Sequence, residues 1–437
     1  MTSLDPVPPP ETPTDPVFRP KIVTTLATYN GQALVADLGA GLTVAMVALP
    51  LAMAIAIASG AAPGAGLVTA IVGGFLISAL GGSRVQIGGP TGAFIVVVYS
   101  VISDFGYDGL VLATLMAGVI LLCAGLLKAG RLIRHVPEPV INGFTIGIAV
   151  IIAASQIADF LGLSAGKIPA DFLPKMEALW AARATFSWDS TLIALFTMVL
   201  IVLFRRAAPK LPGLVVAVAL TSGAVVLFGL DVETIGSRFG GIPSAMPMPV
   251  LPDISFDRVI ELLPSALIIA FLAGVESLLS ALVADRMAGT AHRSNTEIVA
   301  QGVANIASAL FAGLPVTGAI ARTATNIRAG ARTPVAGIAH AVFMLLFMLL
   351  ASGLASLLAL PALAAVLVLT AWNMAEPQHL VERLKAPRAD IFLMGMTLVL
   401  TVFGDLTIAI GAGVAVGLML RFVRRKTPEP DWHMPDR

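Results

Sequence analysis

Gly89-Pro90-Thr91-Gly92-Ala93-Phe94 opens one short apolar stretch, 91–103, and Pro315-Val316-Thr317-Gly318-Ala319-Ile320 opens a second, 319–330. Thr-Gly-Ala recurs between them at an offset of 226 residues, from Thr91 to Thr317. Both stretches fall short of the roughly 20 residues that a helix needs to cross a bilayer. Twelve other apolar stretches, from 33–58 to 405–424, can cross with some tilt. The chain thus divides into two halves of seven segments, the third of each interrupted. An odd number per half turns the second half upside down relative to the first. Paired Gly/Pro-interrupted segments in inverted halves mark a transporter binding site. The competing reading is that GGPTG and PVTG are ordinary turns between tightly packed spans.

Composition sets the class. Of 437 residues, 57% are hydrophobic and 12% are charged, about half the charged share of a soluble domain. That excludes disorder and an ordinary soluble enzyme, and predicts an all-α polytopic membrane protein. A net charge of +1 leaves no basic excess for nucleic acid. The single cysteine, Cys123 in VILLCAGLL, excludes an intrachain disulfide and reads as a small buried core residue. His292, His340 and His379 lack metal-ligand spacing. Gly411-Ala412-Gly413 with Gly417 reads as close helix packing rather than a nucleotide fingerprint, since no strand precedes it.

Charge placement gives an orientation. With the N-terminus inside, 21 of the 27 Lys and Arg residues face the cytoplasm. Lys167, Lys175, Arg183, Arg238 and Arg258 face outward, and Arg322 alone stays at membrane depth. The positive-inside bias selects this orientation, with both termini cytoplasmic in a multi-pass protein of the bacterial inner membrane.

Glu276 lies ten residues before Arg286, about 15 Å from the cytoplasmic end of its span at 1.5 Å per residue. A carboxylate near the bilayer centre is costly and is by default a functional candidate. Arg322 could hold substrate, pair with Glu276, or shape the field without contact. Asp37 and Asp285, near the cytoplasmic interface, read as solvated or capping residues, and Glu138 as a helix entrance.

Four stretches carry a family resemblance: DLGAGLTVAMVALPLAMAIAIASGAAPGAGL, GSRVQIGGPTGAF, VPEPVINGFTIGIAV and the long run from GVESLLSALVADRMAG to PVTGAIARTATNIRAGARTPVAG. Over roughly residues 30–424 the chain resembles the SulP anion transporters, the sulfate-permease family that includes prestin. The resemblance implies fourteen transmembrane segments in a 7+7 inverted repeat, the fold of uracil transporters. It implies a core (21–135 and 259–353), a gate (136–258 and 354–424), and elevator-like movement of one against the other. The first 20 residues then form a disordered tail. Residues 425–437 form a second tail, too short for the cytoplasmic STAS domain that usually follows. Carried over by position, the substrate contacts are Leu51 and Ile55 in segment 1, with Thr91, Gly92, Ala93 and Phe94 in segment 3. Segment 10 adds Gly318, Ala319, Ile320, Ala321 and Arg322. Glu276 and Ser280 take the coupling-ion position. Pro50-Leu51 stands where many animal members read Pro-Gln, and Ala321 where prestin-like members place serine, so this pocket is less polar.

The resulting expectation is a secondary active anion transporter without cofactor. Its leading form is proton-coupled symport of a dicarboxylate such as fumarate. The alternatives are sodium-coupled bicarbonate or sulfate transport and, in another class, an uncoupled anion channel. The expected partners are a small anion and the lipid bilayer. Members with STAS domains tend to be dimers, so a homodimer is the assembly the resemblance suggests.

Overall fold

The computed structural model describes residues 18–128, 137–166, 168–208, 212–383, 385–404 and 406–423. The expected tails, apart from residues 18–20, and the basic residues Arg131, Arg134, Lys167 and Lys210 lie outside them. The described chain is almost wholly helical, because inside a bilayer every backbone N–H and C=O must be satisfied within the chain. Its main helices are α1 (Gly31–Ala58), α2 (Pro63–Leu80), α3 (Gly92–Leu126), α4 (Glu138–Leu161) and α5 (Phe172–Ala181). Next come α6 (Trp188–Ala207), α7 (Gly213–Phe228), α8 (Phe256–Ala288) and α9 (Ser294–Leu310). The last are α10 (Ile320–Arg328), α11 (Val335–Ala355), α12 (Leu360–Ala375), α13 (Arg388–Phe403) and α14 (Leu406–Val423). Among the described residues, eight helices are long and apolar enough to span a membrane.

Local chemistry explains the boundaries. The Asn30 side chain caps α1 by accepting from Ala33 N at 2.9 Å, and Pro63 occupies the first turn of α2, where its missing N–H is harmless. In α3, Gly106 (φ 72°, ψ 179°) breaks the helix, so a short segment beginning at Gly92 is separated from the longer one that follows. Gly404 likewise separates α13 from α14 with an extended conformation. Inside α2, Thr69–Gly73 forms a π-helical turn, a feature common at functional positions. There Thr69 Oγ1 accepts from Leu314 N at 2.6 Å and reaches the approach to the second short segment.

Two sets of helices pack among themselves. In one, α3 lies along α9 and α8, while α1 lies along α11. Gly118 and Gly302 let α3 and α9 approach so closely that a Cβ on either would meet backbone at 2.5–2.8 Å. In the other set, α4 lies along α13 and α12, and α6 along α7 and α12. Gly413 and Gly417 sit against Thr397, Val140 and Pro137, the helix packing expected of that glycine run. α6 turns Leu192, Leu195, Phe196, Val199 and Leu203 outward, an apolar face suited to lipid.

Three expectations need correction. Cys123 is exposed on α3, not buried in the core. Asp37 is fully buried: it accepts from Arg332 N (2.7 Å), Thr333 N (3.1 Å) and Thr333 Oγ1 (2.6 Å), fastening α1 to the start of α11. The residues after α4 hold a further helix, α5, which the apolar pattern hid because Lys175 and Glu177 lower its hydropathy.

Candidate substrate-binding site

The two matching motifs meet. Gly88–Gly89 and Thr317–Gly318 form a two-residue antiparallel ladder, with Gly88 opposite Gly318 and Gly89 opposite Thr317. The short helices begin directly beyond it, at Gly92 and at Ile320, and neither has a side-chain cap. Their first-turn N–H groups and positive dipole ends are left for another acceptor. That is the construction of an anion site.

The ladder is held from behind. Thr317 Oγ1 donates to Ala273 O at 2.8 Å, and Asn305 clamps Val316 through Val316 N to Oδ1 (3.0 Å) and Nδ2 to Val316 O (2.8 Å). Gln86 Nε2 donates to Ser277 O (3.1 Å) and Oγ (3.0 Å). Two glycines leave the room that side chains from the opposite half occupy. A Cβ on Gly89 would lie 1.8 Å from Arg322 Nη1, and one on Gly318 would lie 1.5 Å from Gln86 Nε2.

Glu276, on α8, is half-buried and accepts from Thr91 Oγ1 at 2.8 Å. Arg322 is 2% exposed and donates from Nη2 to Pro90 O at 2.6 Å. Its Nη1 and Nε have no hydrogen-bond partner. Among the described residues, Glu276 and Arg322 form no ion pair. Of the three roles open to Arg322, pairing with Glu276 is not the arrangement present. Each charge instead crosses to the opposite half, Glu276 to Thr91 and Arg322 to Pro90.

The remaining site candidates divide. Ile55 and Phe94 are buried in one apolar cluster with Ile152, and Leu51, Ala93 and Met374 pack against it. Gly92 faces Met374 of α12 and Ile152 of α4, so the first short helix starts at the seam between the two packed sets. Ala319 is buried, Ile320 half-buried and Ala321 exposed. Ser280, one turn beyond Glu276, donates instead to Thr323 Oγ1 at 3.2 Å, and Thr323 Oγ1 also accepts from Ile87 N at 3.1 Å.

A sequence model of the sulfate permease family matches residues 34–397. The chain belongs to the sulfate permease family. Among its relatives in that family is YvdB of Bacillus subtilis, named for sulfate transport, 45% identical over 396 residues (90% of this chain, 74% of that one). The bicarbonate transporter BicA of Synechocystis sp. is 35% identical over 400 residues (89% of this chain, 70% of that one). The solved transmembrane domain of a cyanobacterial bicarbonate transporter BicA superposes with a TM-score of 0.78 at 33% identity, covering 88% of this chain and 98% of that one. A sulfate permease family member is a membrane transporter of anions, not an enzyme.

Several residues that shape this site were absent from the sequence reading. Gln86, Asn305 and Thr323 organise the ladder through long-range bonds. Glu297 is fully buried and accepts from Gly82 N (2.9 Å), Ser83 N (3.3 Å), Ser277 Oγ (3.1 Å) and Gln301 Nε2 (2.8 Å). The usable signal was its place one turn into an apolar span, where an acid needs partners.

Proposed function

We propose that the chain is a secondary active transporter of a small inorganic oxyanion of the bicarbonate or sulfate class. The observation that carries this reading is the joined pair of uncapped helix starts, with Arg322 buried behind one and Glu276 bonded to the other. Two dipole ends and one fixed cation favour a compact anion over a long organic acid. Relatives named for bicarbonate and sulfate point the same way, so the oxyanion replaces the dicarboxylate as the leading substrate.

In this account the fourteen segments lie in the membrane as two inverted halves, the third of each half reaching only partway, with both termini cytoplasmic. α1–α3 and α8–α11 form the core that carries substrate, and α4–α7 and α12–α14 form the gate. The substrate lies at their seam, beside Gly92, and elevator-like movement of core against gate exposes it to each side in turn. Glu276 is the coupling carboxylate. A proton can load it without other ligands. Sodium needs further oxygens, and Ser280, the residue named for that task, is engaged with Thr323.

The test is a labelled-uptake panel in proteoliposomes covering bicarbonate, sulfate, chloride, succinate and fumarate, with pH and sodium gradients imposed separately. Gradient-driven accumulation of bicarbonate or sulfate supports the reading. Accumulation of fumarate alone restores the dicarboxylate, and flux that no gradient concentrates indicates a channel.

A further inference from the structure

A cavity of about 200 Å³, whose lining includes neither Glu276 nor Arg322, lies further along the same seam. The end of α1, Tyr99 of α3, the end of α4, Lys175 of α5 and Arg238 of the short helix Ile235–Phe239 line it. Its walls therefore come from both packed sets of helices. Positive-inside placement puts Lys175 and Arg238 on the outer side of the membrane.

Lys175 is the unusual member. It is only 4% exposed. Among the described residues its ammonium makes no hydrogen bond and no ion pair. It stands 5.2 Å over the centroid of the Tyr99 ring. That ring is fixed in turn: Tyr99 Oη donates to Ile168 O at 2.5 Å, and Gly60 (φ +77°) leaves room for its edge. Burial pushes the Lys175 ammonium below its usual pKa, while Asp171 acts in the opposite direction from the start of α5. The Tyr99 ring face and the field of Asp171 are what compensate this cation; among the described residues no hydrogen bond or ion pair does so.

Arg238 is already matched, donating to Asp159 Oδ1 at 2.7 Å and bonding Glu233. The lining carries Lys175, Arg238, Gln156 and the Asp159 carboxylate; Asp159 is neutralised against Arg238, which leaves Lys175 as the surplus cation on the wall. The cavity exceeds the ~15 Å³ needed for one water and accommodates an anion of a few heavy atoms.

We propose that this cavity is a second anion-binding site, in which Lys175, assisted by Arg238, receives a small anion at the outer end of the core–gate seam before it reaches the paired helix starts. The role as an entry site rests on the anion-transport reading above; the binding site itself does not.

The test is bromide-81 NMR line broadening on the purified full-length chain, with bromide as the probe. Wild type should show saturable broadening. Lys175→Met should lose at least half of it, Lys175→Arg should keep it, and Arg322→Gln should leave the Lys175-dependent part intact. Ala58→Phe, which fills the cavity without removing charge, should reproduce the loss and serves if Lys175→Met does not fold. Unchanged broadening in both Lys175→Met and Ala58→Phe overturns the site and leaves a cavity holding water only. Abolition of all saturable broadening by Arg322→Gln overturns it as well. A wild type that accumulates no anion yet shows Lys175-dependent broadening retains the site and rejects the transport reading.

Discussion

Thr91 donates a 2.8 Å hydrogen bond to Glu276, joining the start of the first short helix to the half-buried carboxylate of α8. In the proposed mechanism, loading or unloading that carboxylate is therefore felt at this helix start. Hydrogen bonds to charged groups are worth about 1.5–3 kcal/mol, so losing this one changes an equilibrium by roughly tenfold or more. Thr91→Val should lower initial uptake by about that factor, while Thr91→Ser should retain most of it. Equal rates for the two variants, measured in proteoliposomes at matched protein density, would separate Thr91 from coupling.

Gly89 and Arg322 define a second relationship. The place of a Cβ on Gly89 is taken by the guanidinium, 1.8 Å away. Gly89→Ala must displace Arg322 from Pro90 O or spread the ladder, at about 1–3 kcal/mol. The expected outcome is a chain that still inserts but melts earlier and transports at under a tenth of the wild-type rate. Wild-type uptake by this variant would show that the Arg322 position is unimportant.

Glu297 should behave differently from Glu276. Its carboxylate ends four donors from three parts of the chain, so Glu297→Ala leaves buried N–H and O–H groups unpaired. Loss of such a network costs several kcal/mol. A large drop in the thermal midpoint in detergent is expected, and a smaller one for Glu297→Gln, which keeps the shape and part of the accepting capacity. A midpoint within one degree of wild type for Glu297→Ala would mean that the loop at 81–83 is held by other contacts.

The parts of this architecture visible in the sequence are those written in local chemistry. Thr-Gly-Ala repeated before two short apolar runs announced two helix starts, because such starts need small residues and free N–H groups. That Glu276 lies inside α8, away from either end, followed from its distance to Arg286. What stayed hidden depends on contacts far apart in the chain. Nothing local in Gly88–Gly89 says that it pairs with Thr317–Gly318, and nothing local in Arg322 says that Pro90 O is its acceptor. Ser280 has the spacing to share a face with Glu276, yet Thr323 from α10 engages it first. Asp37 resembles a solvated acid near a span end until the loop that covers it is placed. α5 was missed for a compositional reason: its charged residues suit a seam outside the bilayer rather than a span.

The central claim is that Glu276 couples an ion gradient to anion movement at the paired helix starts. Its most direct test compares accumulation and exchange of labelled bicarbonate and sulfate by wild type and Glu276→Gln in the same proteoliposomes. The predicted result is gradient-driven accumulation by wild type, and exchange without accumulation by Glu276→Gln. Accumulation by Glu276→Gln equal to that of wild type, under the same imposed gradient, would contradict the account.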